Sequence, residues 1–244
     1  ADPAGDGLPP PVSLTGGSSV FQSVLNGNPR LLTLSARDHA LINAAMPDAI
    51  ATAFREQNWT CHVCGVRLEG LMEVDHLKGH RPCQAAEIAP ICQFCHDLTH
   101  PMWATSRKRI FPIYAPDLAQ SDLSRFAWTL LSEMTRENSE AMFGGLAEAI
   151  GEREAAAFEM LDGENMESAL EAILVLKDLA GADTALNVSQ VLDARIRYLP
   201  ACVRDGEPLM RWTSAGFRPV PVALLHKAFG PEPDFGKLSR AVSE

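Results

Sequence analysis

The stretches WTCHVCG (Trp59–Gly65) and ICQFCH (Ile91–His96) decide how this chain folds, because each contains two cysteines separated by two residues. One such turn presents two thiolates, and two turns supply the four ligands of a tetrahedral zinc ion. Gly65 follows the first pair, where the turn is expected to need a positive φ. The sequence therefore predicts a structural Zn²⁺ held by the four paired cysteines, Cys61, Cys64, Cys92 and Cys95.

The use of cysteine in this chain indicates metal binding in a reducing compartment, because four of the six cysteines fall into the two pairs. Two redox-active dithiols are the alternative, but neither pair opens a βαβ unit in the manner of such dithiols. Cys83 and Cys202 are predicted to be unliganded thiols, with Cys83 as an alternative metal ligand.

The segments around the pairs predict short regular elements. LEGLMEVDHLKGH (Leu68–His80) is interpreted as two short strands or a β-ribbon. The second cysteine pair then opens a helix that Pro101 ends, because proline cannot continue it. Ahead of the first pair, residues 36–57 predict a lead-in helix capped by Ser35 and kinked or split at Pro47.

Residues 59–100 resemble the HNH finger, the ββα-metal fold of a group of nucleases, through WTCHVCG, VDH and ICQFCH. The resemblance implies that His76, in the Asp-His dipeptide, would be the general base that activates water. It also implies a second divalent metal such as Mg²⁺, held by Asp75, His96 and His100, of which the two histidines lie four residues apart on one helix face. His62 and His80 are interpreted as exposed polar residues.

Two features argue against the cutting of nucleic acid and against a zinc finger that only binds DNA. Glu87 lies where the family usually has asparagine, and it adds negative charge where a phosphate must approach. The net charge is −10, and residues 111–244 hold twelve Lys/Arg against twenty-one Asp/Glu. Phosphate binding needs cations, and Arg107–Arg109 is the only basic cluster, so nucleic acid is not the expected partner.

The second half of the chain predicts an extended run at Ile110–Tyr114, a Pro-Asp turn, a helix capped by Ser121 and then an all-helical part. The apolar face of the helix after the turn consists of Leu123, Phe126, Ala127, Leu130, Leu131 and Met134. Three further helices are predicted in 139–161 with a break near Gly144–Gly145, in 165–181 with Asn165 as cap and Gly181 as end, and in 187–200.

A four-cysteine finger followed by a strand, a Y-x-P-(D/E)-L-x-Q-x-x-L turn and a helix resembles the DotN/IcmJ family of type IVB (Dot/Icm) secretion systems. The matching residues are Tyr114, Pro116, Asp117, Leu118, Gln120 and Leu123. The resemblance implies a cytoplasmic, non-catalytic adaptor of the coupling complex, recruited to the inner membrane through that complex. It further implies binding to the C-terminal extension of the coupling ATPase and to other coupling-complex subunits, which helps to recruit effector substrates.

The predicted fold class is α+β, an HNH-like ββα zinc module followed by a mainly α-helical domain. Residues 1–28 are expected to form a disordered Pro/Gly/Ser-rich tail, 29–110 the lead-in helix and zinc module, and 111–244 an acidic helical domain able to receive a basic or amphipathic helix. No apolar run of 18 residues occurs, so membrane insertion is not expected. The predicted function is that of an adaptor; the alternative is a metal-dependent HNH endonuclease that cuts DNA with His76 as general base.

Overall fold

The computed structural model describes residues 36–78, 82–134, 140–163 and 166–203, and within them it combines helices with short antiparallel strands. The α+β class is therefore confirmed. The elements are α1 (Ala36–Ala44), α2 (Pro47–Glu56), β1 (Glu73–His76), a 3-10 turn (Ala85–Glu87), β2 (Ile88–Ile91), α3 (Gln93–Thr99), α4 (Pro101–Ser106), β3 (Ile110–Tyr114), α5 (Gln120–Met134), α6 (Glu140–Met160), α7 (Met166–Ala180), α8 (Ala182–Asp193), β4 (Ile196–Pro200) and a 3-10 turn (Ala201–Val203).

Several predictions concern residues outside the described ranges, and one concerns insertion into a membrane. The tail at 1–28, the caps Ser35 and Asn165, and His80 all lie outside the described ranges. Among the helices that are described, none combines the length and the apolar character needed to cross a membrane.

Proline placement sets the helix boundaries around the cysteine pairs, as predicted. Pro47 is the first residue of α2, so it splits the lead-in segment into α1 and α2. Pro101 likewise ends α3 and begins α4, because a first helical position needs no N–H partner. The buried face of α2, Ala53 and Phe54, faces the cysteine-containing core.

The two strands next to the cysteines are β1 and β2, which pair antiparallel from Glu73 opposite Ile91 to His76 opposite Ile88. The prediction of two strands within residues 68–80 was therefore half right, because the second strand lies immediately before Cys92. Pro90 is tolerated in that strand although it has no N–H to donate, and its carbonyl accepts a hydrogen bond from the N–H of His62. In chain order, β1, β2 and α3 run strand, strand, helix.

The predicted strand at Ile110–Tyr114 is confirmed as β3. The segment that pairs with it corrects the prediction of a helix over residues 187–200. Residues 196–200 form β4, which pairs antiparallel with β3, whereas the sequence pattern predicted the end of a helix there. The β-branched and aromatic side chains of Ile196 and Tyr198 favour a strand once they can be buried. The C-terminal part is thus not all-helical.

Two helix predictions in this half have different outcomes. The helix before Gly181 is confirmed as α7, and Gly181 follows its last residue with a φ of +88°. The break near Gly144–Gly145 is wrong, because α6 runs without interruption through both glycines. Leu146, Ile150 and Ala157 are buried on α6, and this packing outweighs the low helix propensity of glycine.

Packing continues across residue 110, where the composition of the chain changes. One hydrophobic cluster contains all four paired cysteines together with α5 residues such as Phe126 and Trp128 and the later residues Leu199 and Cys202. A second cluster joins Ala104 and Ile110 to the α7–α8 pair. The proposed division at 110 therefore marks a change in composition, while the hydrophobic core spans it.

Candidate metal centre

The four paired cysteines lie together, as the sequence predicted. Cys61 and Cys64 belong to a turn in which the N–H of Gly65 donates to the carbonyl of Cys61, and Gly65 has a φ of +74°. Cys92 is the N-cap of α3 and Cys95 lies in its first turn. Their four Sγ atoms lie within 4.8 Å of one another, and each residue is at most 4% exposed.

The spacing of these sulfurs fits a tetrahedral metal ion. Cys64 Sγ and Cys92 Sγ are 3.7 Å apart, too far for a disulfide bond of about 2.05 Å. Four sulfurs at about 2.3 Å from a central ion would lie about 3.8 Å from one another along the edges of the tetrahedron. The four buried cysteines can therefore hold a metal ion of the size of zinc.

Burial and mutual contact make the thiols of this cluster unequal. Burial by itself raises the pKa of Cys61, but hydrogen bonds with the other three thiols lower it well below its ordinary value. Burial and then hydrogen bonding to Cys61 raise the pKa values of Cys64 and Cys95. Cys61 is thus more acidic than Cys64 and Cys95, and a divalent cation would stabilise the charged form of the thiols that bind it.

Trp128 belongs to this centre, and sequence reasoning missed it. Its indole N–H donates to Cys92 Sγ at 3.3 Å, and its ring packs on Phe94 with centroids 4.3 Å apart. Trp128 lies on α5, beside the predicted apolar face of that helix. Three residues of this face, Leu123, Phe126 and Ala127, are buried. The signal in the sequence was a tryptophan with one polar atom inside an otherwise apolar helix, which needs a hydrogen-bond acceptor when buried.

The acidic side chains of β1 form ion pairs with histidines from the two cysteine turns. Side chains alternate across a strand, so Glu73 and Asp75 share one face of β1. Asp75 Oδ2 lies 2.7 Å from His62 Nε2, and Glu73 Oε2 lies 2.6 Å from His96 Nδ1. His62 is therefore not the exposed polar residue that was predicted, because it is half-buried against Asp75.

These contacts oppose the effect of burial on the pKa of each histidine. Burial alone would lower the pKa of His62, but its hydrogen bond to Asp75 raises it above the ordinary value. The same balance, with Glu73 as partner, raises the pKa of His96. Burial would raise the pKa of Asp75, and the hydrogen bond with His62 lowers it instead. These shifts favour the imidazolium form of both histidines and the carboxylate form of Asp75.

His76 occupies the opposite face of β1 and is only 7% exposed. Burial lowers its pKa below the ordinary value, and the charge of Asp75 opposes that shift without reversing it. The imidazole is therefore mainly neutral near pH 7. Strand alternation thus separates His76 from the side chain of Asp75, although the two residues are adjacent in sequence.

The predicted second metal ligands lie close together but are not brought into one ligand group. The rings of His96 and His100 meet edge to face with centroids 5.0 Å apart. Throughout residues 36–78, 82–134, 140–163 and 166–203, the four cysteines are the only set of three or more Cys, His, Asp or Glu whose donor atoms converge for a metal. Asp75 and His96 instead use donor atoms in the ion pairs described above.

Glu87, which stands at the position expected for asparagine, caps the 3-10 turn before β2. Its carboxylate accepts a hydrogen bond from the N–H of Gln84 at 3.3 Å and lies 3.3 Å from Lys78 Nζ. Its main-chain carbonyl accepts from the N–H of Leu77, just beyond β1. Glu87 therefore has a local structural role in joining the two strands.

No protein-family model matches this sequence, and no curated protein matches it.

Proposed function

We propose that this protein is a non-catalytic adaptor built on an HNH-like ββα module, which one structural Zn²⁺ stabilises at Cys61, Cys64, Cys92 and Cys95. The observation that carries the proposal is where these ligands lie: they are buried in the main hydrophobic cluster, and a side chain from α5 donates to one of them. When bound, zinc would neutralise the clustered thiolates and supply folding energy. A metal so enclosed holds elements together and has no open position for a substrate.

The contacts of the HNH-like histidines also favour a scaffold. Asp75 and His96, which a nuclease would need for its divalent metal, are paired with His62 and Glu73. His76, which would be the base, is 7% exposed. To reach a phosphodiester, these groups would have to give up internal contacts or become exposed.

For the partner, we propose the one that the DotN/IcmJ resemblance implies, the C-terminal extension of a type IVB coupling ATPase with the other coupling-complex subunits. Gln120, which is part of the matching turn, has a role within the fold. Its carboxamide donates to the carbonyl of Tyr198 at 2.8 Å and accepts from the N–H of Tyr198 at 2.9 Å. The turn thereby connects the start of α5 to β4, so the motif at residues 114–123 has a structural role in this chain. The protein would act in the cytoplasm, held at the inner membrane through the complex.

Co-purification tests the adaptor proposal directly. The full chain, carrying one zinc per molecule, would be mixed with the tagged C-terminal extension of the coupling ATPase, and with a scrambled extension of the same composition as control. We expect a stable complex with the native extension alone. Zinc-loaded, folded protein that binds neither extension would contradict the proposal.

A metal-dependent HNH endonuclease is the second candidate, and one observation favours it. Burial lowers the pKa of His76, so its imidazole is in the neutral form that a general base requires at pH 7. Plasmid nicking with Mg²⁺, Mn²⁺, Ni²⁺ or added Zn²⁺ would be measured for the wild type and for His76→Ala. We expect no nicking by either protein, and cleavage that is lost in His76→Ala would establish the nuclease instead.

A further inference from the structure

The helices α7 and α8 form a hairpin whose inner side is well packed. They are joined at Gly181 and contribute Leu170 and Ile173 from α7 and Ala185 from α8 to the second hydrophobic cluster. Burial of that cluster accounts for one side of each helix. The opposite side of α7 is exposed and carries a pattern that packing among the described residues does not explain.

The outer side of α7 combines acidic and aliphatic residues at helical spacing. Glu171, Val175, Asp178 and Leu179 stand at positions i, i+4, i+7 and i+8, so they share one face, which we call the outer stripe. At about 100° per residue, Val175 lies roughly 200° round the helix from the buried Ile173. All four residues of the stripe are exposed, and Leu179 is 82% exposed.

Exposed aliphatic residues are concentrated on this hairpin. Of the seven large apolar side chains exposed within the described ranges, four belong to it: Val175, Leu179, Val188 and Val191. Single exposed apolar residues are ordinary on a protein surface, but a concentration on one element marks an interaction surface. Val188 and Val191 are three residues apart and therefore share a face of α8.

The charge of the outer stripe indicates what would bind there. Both of its charged residues, Glu171 and Asp178, are acidic. The one lysine of α7, Lys177, lies four residues after Ile173 and therefore on the side of that buried residue. A partner that buries Val175 and Leu179 must place cations beside these carboxylates, whereas a second copy would bring its own acids against them.

We propose that the outer stripe of α7 is the docking site for a basic amphipathic helix. Aliphatic side chains of the partner would cover Val175 and Leu179, and its lysines or arginines would pair with Glu171 and Asp178. The inference rests on the proposed adaptor function only in assuming that a partner exists. It adds where that partner binds and what chemistry the bound segment has.

The test uses the full zinc-loaded chain and two fluorescent peptides of about five helical turns, one of Leu and Lys and one of Leu and Glu with the same apolar face. We expect the Leu–Lys peptide to raise fluorescence anisotropy and the Leu–Glu peptide to leave it unchanged. The double change Val175→Ser/Leu179→Ser should weaken binding at least about tenfold, because two aliphatic contacts are lost. The double change Glu171→Lys/Asp178→Lys should reverse the preference between the peptides. Leu41→Ser, which alters an exposed leucine on α1, is the matched control and should bind as the wild type does.

Other occupants of the stripe give different results, each of which would overturn the proposal. Leu–Lys binding that both double variants leave unchanged would show that the peptide binds elsewhere. A concentration-dependent dimer in sedimentation velocity, abolished by Val175→Ser/Leu179→Ser, would assign the stripe to a second copy. Slow alkylation of Leu179→Cys in the isolated monomer, located by mass spectrometry, would show that the chain covers its own stripe. The two proposals can fail separately. If the stripe variants still bind the ATPase extension as the wild type does, the docking site is refuted and the adaptor proposal is not. If the wild type binds the Leu–Lys peptide but not the extension, the adaptor proposal is refuted and the docking site is not.

Discussion

The indole N–H of Trp128 donates a hydrogen bond to Cys92 Sγ at 3.3 Å, and this contact joins two parts of the chain that are 36 residues apart. The acceptor becomes a thiolate when a metal binds, and hydrogen bonds to charged groups are stronger than those between neutral groups. The start of α3 and the middle of α5 are thereby linked through the metal centre.

Replacement of Trp128 by phenylalanine should weaken zinc binding while leaving most of the packing intact. Loss of a hydrogen bond to a charged group costs about 1.5–3 kcal/mol, which corresponds to roughly a tenfold or greater loss of zinc affinity. Competition with a chromophoric chelator measures it. Trp103→Phe is the control, because Trp103 faces Arg107 and Arg109 instead of the thiols. Equal losses in the two variants would contradict the role given to Trp128.

Replacement of Cys61 or Cys92 by serine should abolish zinc binding and unfold the cysteine-containing core. Metal ligation contributes folding free energy directly, and a hydroxyl is a poor ligand for zinc. Zinc content by atomic absorption and melting by circular dichroism are the measurements. Cys83→Ser should keep one zinc per chain, since Cys83 contacts Met46 and is not among the converging thiols. Zinc retained by Cys61→Ser but lost from Cys83→Ser would mean that the ligand set is wrong.

Replacement of Gln120 by alanine should destabilise the fold, because it removes both hydrogen bonds to the main chain of Tyr198. At about 0.5–1.5 kcal/mol for each hydrogen bond, the free energy of unfolding should fall by about 1–3 kcal/mol. Urea denaturation measures this change. Gln190→Ala, at an exposed position on α8, should change stability by about 0.5 kcal/mol or less. A loss for Gln120→Ala as small as that of Gln190→Ala would show that the contact contributes nothing.

Removal of Arg109 alone from its buried ion pair with Asp97 should lower the free energy of unfolding more than replacement of both residues does. Arg109 Nε lies 3.0 Å from both carboxylate oxygens of Asp97, and the two side chains are 7% and 4% exposed. Burial raises the pKa of Asp97 to about 7 although Arg109 opposes the shift. Arg109→Met leaves this buried acidic group without its partner, so we expect stability to fall by about 3–5 kcal/mol. The double change Asp97→Leu/Arg109→Met should recover much of that loss in urea denaturation. A double variant as unstable as Arg109→Met would contradict this account.

The sequence was informative about the metal centre because its ligands are set by local spacing. Two residues between cysteines, a glycine after the first pair and prolines at helix starts act within one turn of the chain, so all were predictable. Trp128 and Glu73 were missed, because each owes its role to a residue brought near by folding. Periodicity indicates that α5 is buried on one side, but it does not tell which side chain touches a thiol.

The errors in secondary structure have the same origin. Residues 196–200 continue the helical pattern of α8, yet they form β4 because β3 offers them a partner. The break predicted near Gly144–Gly145 does not occur, because Leu146 and Ile150, which follow these glycines on α6, are buried. In each case tertiary contacts outweigh the local preference.

The burial of the four thiols against α5 affects how a metal ion would be taken up and released. During synthesis the cysteines leave the ribosome well before Trp128 does, so an ion can reach them while they are uncovered. In the folded chain each of the four cysteines is at most 4% exposed, so we expect exchange of a bound ion to need local opening of the cluster around them. We therefore expect zinc to be acquired early and then released slowly, so that loss of the metal is limited by the rate of opening.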